Sequence, residues 1–231
     1  MSDFSYIGRN FRALTDEIEE LSCRSGRKIT LVAVTKSGTD DELLALAECG
    51  IGDIGENRPQ ELVRRRELLS AHGFFPRMHE IGNLQRNKVR SVIGAADLIH
   101  SVGKLSLAEC ISAEAERAGV CARILIEINS ANEENKGGIS PELAEDFFLK
   151  VRELPSIEVM GFMTMGPPTD DGEILRPYFR KTREIFDRIN EKYTLPSGGI
   201  LSMGMSDSYR VAIEEGSTLV RVGRRFFWKE G

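Results

Sequence analysis

The chain has little that would tie it to a membrane, a metal or a nucleic acid. Its four cysteines, Cys23, Cys49, Cys110 and Cys121, are scattered with no CxxC spacing, so they suggest neither a zinc site nor a disulfide framework. Cys49 and Cys110 fall within helical patterns, where a free cysteine is ordinarily a small core residue. No apolar run approaches the roughly 18–20 residues of a membrane span. The opening stretch MSDFSYIGRN lacks the basic-then-apolar pattern of a secretion signal. Positive charge is not in excess. With 31 Lys and Arg against 36 Asp and Glu, the net charge is −5, and no global field draws nucleic acid or anionic lipid. There is also no GxGxxG turn, linker or low-complexity tract. These absences point to a cytoplasmic, reduced, metal-free protein. Its 231 residues, 41% of them apolar, suffice for one large core.

What is present is an alternation of short apolar runs and helical periods. Phe4–Arg24 carries apolar residues three or four apart and predicts a helix ahead of the first strand. Ile29–Val34 is almost continuously apolar and β-branched, as in a strand buried on both faces. Further strands are predicted at 51–55, 77–82, 97–100, 122–129, 157–163, 200–203 and 218–222, with helical segments between them. Thr39 or Asp40 suits the cap of a helix ending at Cys49, and Pro59 the first turn of the next. A helix is expected from Leu84 to about Val92. Eight strands alternating with eight helical segments in a chain of this length predict a closed (β/α)8 barrel, one domain over residues 1–231, rather than an open doubly wound sheet.

In such barrels function gathers at the C-terminal strand ends. Here those ends read Lys36, Glu56-Asn57, Gly82-Asn83, His100-Ser101, Asn129, Thr164, Ser206 and Gly223. Lys36 keeps the two-residue phase of Thr30, Val32 and Val34. It is either a desolvated amine suited to Schiff-base chemistry or a strand-end lysine reaching water. The loops after strands seven and eight supply Gly204, Ser206, Gly223, Arg221 and Arg224, a set suited to a phosphate. A lysine on strand one facing such a pocket is the layout that a phosphorylated aldehyde needs.

AVTK around Lys36, GEN at 55–57, HEIGNLQRNK at 79–88, INSANEENKGGI at 128–139 and LSMGMSDSYRVAIEEGSTLVRVG at 201–223 carry a resemblance. The chain resembles the pyridoxal-phosphate-binding homeostasis proteins, single-domain relatives of the alanine racemase barrel. The resemblance implies that Lys36 holds pyridoxal 5'-phosphate as a Schiff base. It further implies that Ser206 with the Gly223–Arg224 backbone holds the phosphate, Arg221 lies near the pyridine nitrogen and Asn57 lies near the ring. It implies a monomeric carrier serving vitamin B6 homeostasis, with apo PLP-dependent enzymes as recipients and no catalytic residue of its own. An arginine beside the pyridine nitrogen disfavours its protonation and weakens the ring as an electron sink. The other reading of Arg221 is an arginine paired with a carboxylate.

Two alternatives remain at this point: a racemase of low activity, and a Schiff-base aldolase acting on a phosphorylated sugar. Racemases draw a tyrosine from a further domain. Tyr209 is the one tyrosine expected near the site here, although a surface position at a helix start suits it better. His79 and His100 are expected to be hydrogen-bonded barrel residues, since HEIGN is not HExxH and no third ligand is spaced to join them. Arg64-Arg65-Arg66 and Arg86/Lys88/Arg90 are expected on solvated helix faces. Arg224 and Arg225 serve the phosphate or water equally well, and the polar loop 131–138 is a lid or a surface turn.

Overall fold

The computed structural model describes residues 4–131, 137–167, 169 and 171–229. Eight parallel strands close into a barrel in sequence order: β1 (Thr30–Val34), β2 (Asp53–Glu56), β3 (Arg77–Glu80), β4 (Leu98–Val102), β5 (Ala122–Glu127), β6 (Ile157–Met163), β7 (Ile200–Ser202) and β8 (Leu219–Val222). Closure is made by β8 against β1, with Val32 beside Arg221 and Ala33 beside Val222.

Helices alternate with the strands: α1 (Ser5–Ser25), α2 (Asp40–Glu48), α3 (Pro59–Ala71), α4 (Val89–Val92), α5 (Leu105–Ala118), α6 (Ala144–Arg152), α7 (Gly172–Tyr193), α8 (Tyr209–Glu214) and α9 (Arg224–Phe227). Local chemistry explains several of their ends. Thr39 and Glu42 form a reciprocal capping box on α2, and Pro59 opens α3, where a missing N–H costs nothing. The expected helix over 84–92 is instead a 3-10 turn at Arg86–Lys88 followed by one α-helical turn. The last helix, α9, is only four residues long, and α1 packs against α9, α8 and α2 to cover the gap this leaves. That is the structural use of the extra N-terminal helix.

Two large apolar clusters fill the layer between strands and helices. Inside the barrel lies a small apolar plug of Val32, Leu98, Leu125, Met163 and Leu219. Side chains on one face of a strand recur every two residues. Two positions beyond plug residues therefore come Val34, His100, Glu127 and Arg221, so the interior turns polar toward the C-terminal ends. β6 admits no side chain at Gly161: its φ is 148°, and a Cβ there would overlap the Ile200 carbonyl. A register shift in the β5–β6 pairing falls at the same level.

Candidate functional site

The C-terminal ends of the strands enclose a cleft of about 760 Å³. Lys36 reaches it from the turn after β1, and Val34 forms the wall below. The strand stops at Val34, and the Lys36 side chain is exposed rather than buried. The strand-end reading of its position holds, and the side chain still lines the cleft. Asn57, Gly82, Asn83 and Ser101 line one side, and Met163, Met165, Met205, Ser206, Gly223 and Arg224 the other. Lys36 is the only lysine lining the cleft among the described residues.

All six residues expected to bind cofactor, Lys36, Asn57, Ser206, Arg221, Gly223 and Arg224, line this one cleft. Four strand-end residues do not. Glu56 faces α3, His100 lies deeper in the barrel, and Asn129 and Thr164 are not on the wall. The Gly223 amide donates to the Ser206 hydroxyl at 3.3 Å, which ties the loops after β7 and β8 together. A Cβ on Gly223 would stand 2.9 Å from the Val34 carbonyl oxygen, so a bare backbone is needed where this loop passes β1. The Arg224 side chain pairs with Asp207, whereas Arg225 turns away to Glu17 and Tyr209.

Arg221 is 4% exposed; it donates to the Ser202 hydroxyl and to the Thr164 carbonyl at 3.2 Å. Burial pushes its pKa down to about 10, against the opposing pull of Glu127. Glu127 lines the same cleft, and burial raises its pKa while the Arg221 charge partly offsets this. The sequence reading missed Glu127; its signal was a lone acid in the apolar run ARILIEIN.

Behind Arg221 a hydrogen-bonded chain crosses the barrel. Ser202 Oγ lies 3.1 Å from His100 Nδ1, His100 Nε2 lies 3.0 Å from His79 Nδ1, and His79 Nε2 lies 2.8 Å from Asp53 Oδ1. One set of tautomers satisfies every link. Arg221 donates to Ser202, Ser202 to His100, His100 to His79, and His79 to Asp53. Full burial, with His79 and Arg221 nearby, holds the His100 pKa well below the ordinary value. Burial would raise Asp53, but hydrogen bonds from His79 and Arg77 bring it below the usual range. Both histidines are thus hydrogen-bonded barrel residues, as expected.

Two expectations need correction. Tyr209 is buried against α1, not at the surface, with its hydroxyl on Glu17 and Arg225; it does not line the cleft. Burial and Glu17 push its pKa up to about 12. In the Arg64–Arg66 run only Arg64 and Arg66 are exposed; Arg65 is 5% exposed. Of the loop 131–138, residues 132–136 lie outside the described residues, as do Pro168 and Asp170 of the loop after β6.

The sequence profile of the alanine racemase N-terminal domain matches residues 10–227. A pyridoxal phosphate homeostasis protein from Aquifex aeolicus is 38% identical over 217 residues, which is 92% of this chain and 93% of that one. The chain belongs to the pyridoxal phosphate homeostasis family. Among solved structures, PipY of Synechococcus elongatus without PLP superposes on 96% of this chain and 100% of its own, with a TM-score of 0.84 and 25% identity. The family's relation to racemases appears at the level of fold. Alanine racemase from Clostridium difficile matches 96% of this chain with a TM-score of 0.74 at 17% identity, and this chain spans 60% of its length.

Proposed function

We propose that residues 1–231 form one domain that binds pyridoxal 5'-phosphate on Lys36 as a Schiff base and serves as a cytoplasmic, monomeric carrier in vitamin B6 homeostasis. The observation that carries this reading is the placement of one lysine in a cleft where the loops after β7 and β8, next to β1 in the closed barrel, offer a phosphate site. The fit rests on donor chemistry. Ser206 brings a hydroxyl, Gly223 a backbone without a side chain, and Arg224 a cation at the rim, a set that suits a dianion. The Lys36 amine condenses with the aldehyde carbon, and one water leaves. Arg221, held by Ser202 and Thr164, brings a cation to the cleft floor, and Asn57 lines the wall beside the ring's place.

The homeostasis protein from Aquifex aeolicus and PipY, which has also been solved with PLP bound, support the assignment of cofactor and role. The bound group supplies an aldehyde and an electron-withdrawing ring. Arg221 opposes protonation of that ring, which disfavours carbanion chemistry. None of the four tyrosines lines the cleft, so the tyrosine that racemases use as second acid/base has no counterpart on its wall. A carrier that hands its cofactor to apo PLP-dependent enzymes fits these features better than a catalyst.

The test is the visible spectrum of the purified protein with added pyridoxal 5'-phosphate, followed by borohydride reduction and peptide mass analysis. A band that bleaches on reduction, with the label on Lys36 and lost in Lys36→Ala, is expected. No band, or a label on another lysine, would overturn the reading. D-alanine formed from L-alanine at enzymatic rates would overturn the carrier assignment alone.

A further inference from the structure

Lys36 sits in a turn, and a turn alone does not hold an amine in place. The turn runs from Thr35 to Gly38, closed by the Gly38 amide on the Thr35 carbonyl at 2.9 Å. Both ends of it are gripped from outside by one buried side chain. Arg65, on α3, donates through Nη1 to the Thr35 carbonyl at 2.5 Å and through Nη2 to the Gly38 carbonyl at 2.7 Å. Lys36 and Ser37 lie between those two anchors. Nη1 also reaches Glu56 at 2.7 Å, and Glu56 accepts from the Thr35 hydroxyl as well, so Arg65, Glu56 and Thr35 form a closed ring. Gly38 is backed by the Phe227 ring, which a Cβ there would meet at 2.6 Å.

The neighbouring arginines show that this is not the default for the segment. Arg64 is spent on Asp40 and Glu61 at the surface, and Arg66 on the Ala95 carbonyl and Asp97. Arg65 is the one turned inward, and it commits donors to backbone carbonyls that a plain ion pair with Glu56 would not need. A planar fork can serve two carbonyls and a carboxylate together, whereas a lysine point charge cannot hold that geometry.

We propose that Arg65 is a positioning residue that holds the Lys36 turn in the geometry required for cofactor attachment. This rests on Lys36 being the attachment point. Without the clamp, the turn has to be ordered at the moment of attachment, and the amine's effective concentration beside the aldehyde falls.

The experiment compares three variants with the wild type. Arg65→Met removes the clamp but strands Glu56. The double variant Arg65→Met/Glu56→Met removes both buried charges, a replacement that is often neutral for stability. Arg65→Lys keeps a cation beside Glu56 and loses the fork. Each is titrated with pyridoxal 5'-phosphate by absorbance, its urea midpoint is measured, and amide hydrogen exchange at Gly38 is followed in cofactor-free protein. Attachment is expected to weaken about tenfold or more in all three. This holds even where the urea midpoint equals that of the wild type, and Gly38 exchange is expected to be faster. A folded double variant or Arg65→Lys that attaches the cofactor within twofold of the wild type overturns the proposal. So does unchanged Gly38 exchange. Labelling of the wild type at a different lysine overturns the Lys36 reading instead, and is seen without any variant.

Discussion

Glu80→Gln is expected to stabilise the protein progressively as the pH rises. Glu80 closes β3 on the side opposite His79, facing the helices, and is fully buried. Its Oε1 accepts from the Gly82 amide at 3.1 Å, its Oε2 has no hydrogen-bond partner among the described residues, and Glu56 stands beside it in register on β2. Burial, with that neighbouring carboxylate, pushes its pKa from 4.5 up to about 7. The unfolded chain gives up this proton near 4.5 and the folded chain near 7, so between them the folded state holds the extra proton. The stability this provides is full below the lower value and is lost as the pH rises through the higher one. At about 1.4 kcal/mol per pH unit, the loss comes to about 3 kcal/mol. Glutamine does not titrate, and its carbonyl can still accept from Gly82. The stability of Glu80→Gln relative to wild type is therefore expected to rise by about 3 kcal/mol between pH 4.5 and about 8.5. His100 and Glu127 also titrate out of their usual ranges, so the readout is the difference between the two proteins, in which those contributions cancel and only Glu80 with its coupled neighbour Glu56 remains. Urea midpoints at a series of pH values measure it. Parallel stability curves for the two proteins would refute the reasoning.

Three further outcomes follow from the geometry. His100→Leu leaves the Ser202 hydroxyl without its His100 acceptor and takes the facing link from His79; a loss of about 2–4 kcal/mol by urea unfolding is expected, and a change under about 1 kcal/mol contradicts the hydrogen-bonded chain. Gly161→Ala meets the Ile200 carbonyl at a φ of 148°; it should cost at least about 3 kcal/mol or prevent folding, and a thermal scan near the wild-type Tm would show that the strand yields. Ser206→Ala is expected to weaken pyridoxal 5'-phosphate binding about tenfold while leaving binding of pyridoxal, which lacks the phosphate, unchanged. Equal losses for both ligands would place the phosphate elsewhere.

The barrel and the location of its cleft were legible in the chain because both are written in local periods. Runs such as LVAV, ILIEI and LVRV have the length and β-branching of two-faced strands, and Lys36, Ser206 and Gly223 sit where those runs break. That Lys36, Asn57, Ser206, Arg221, Gly223 and Arg224 share one cleft was legible for the same reason, whereas Glu56, His100, Asn129 and Thr164 stand at strand ends too and turn elsewhere. Partners were not legible. Arg64, Arg65 and Arg66 are the same residue type in a row, and only the orientation of α3 against the strands decides that the middle one is buried on the Lys36 turn while its neighbours stay wet. Tyr209 begins a helix, as expected, yet α1 covers it. Glu127 and Glu80 have the same composition as surface acids and acquire raised pKa values chiefly from burial, with Glu56 adding to it for Glu80. Sequence by itself determined the strands, their order and the strand-end residues, since these depend on neighbours two to four positions away. Tertiary structure alone decided which polar groups share a proton or a charge, since His100 meets Ser202 across 102 positions of chain and only barrel closure brings them together.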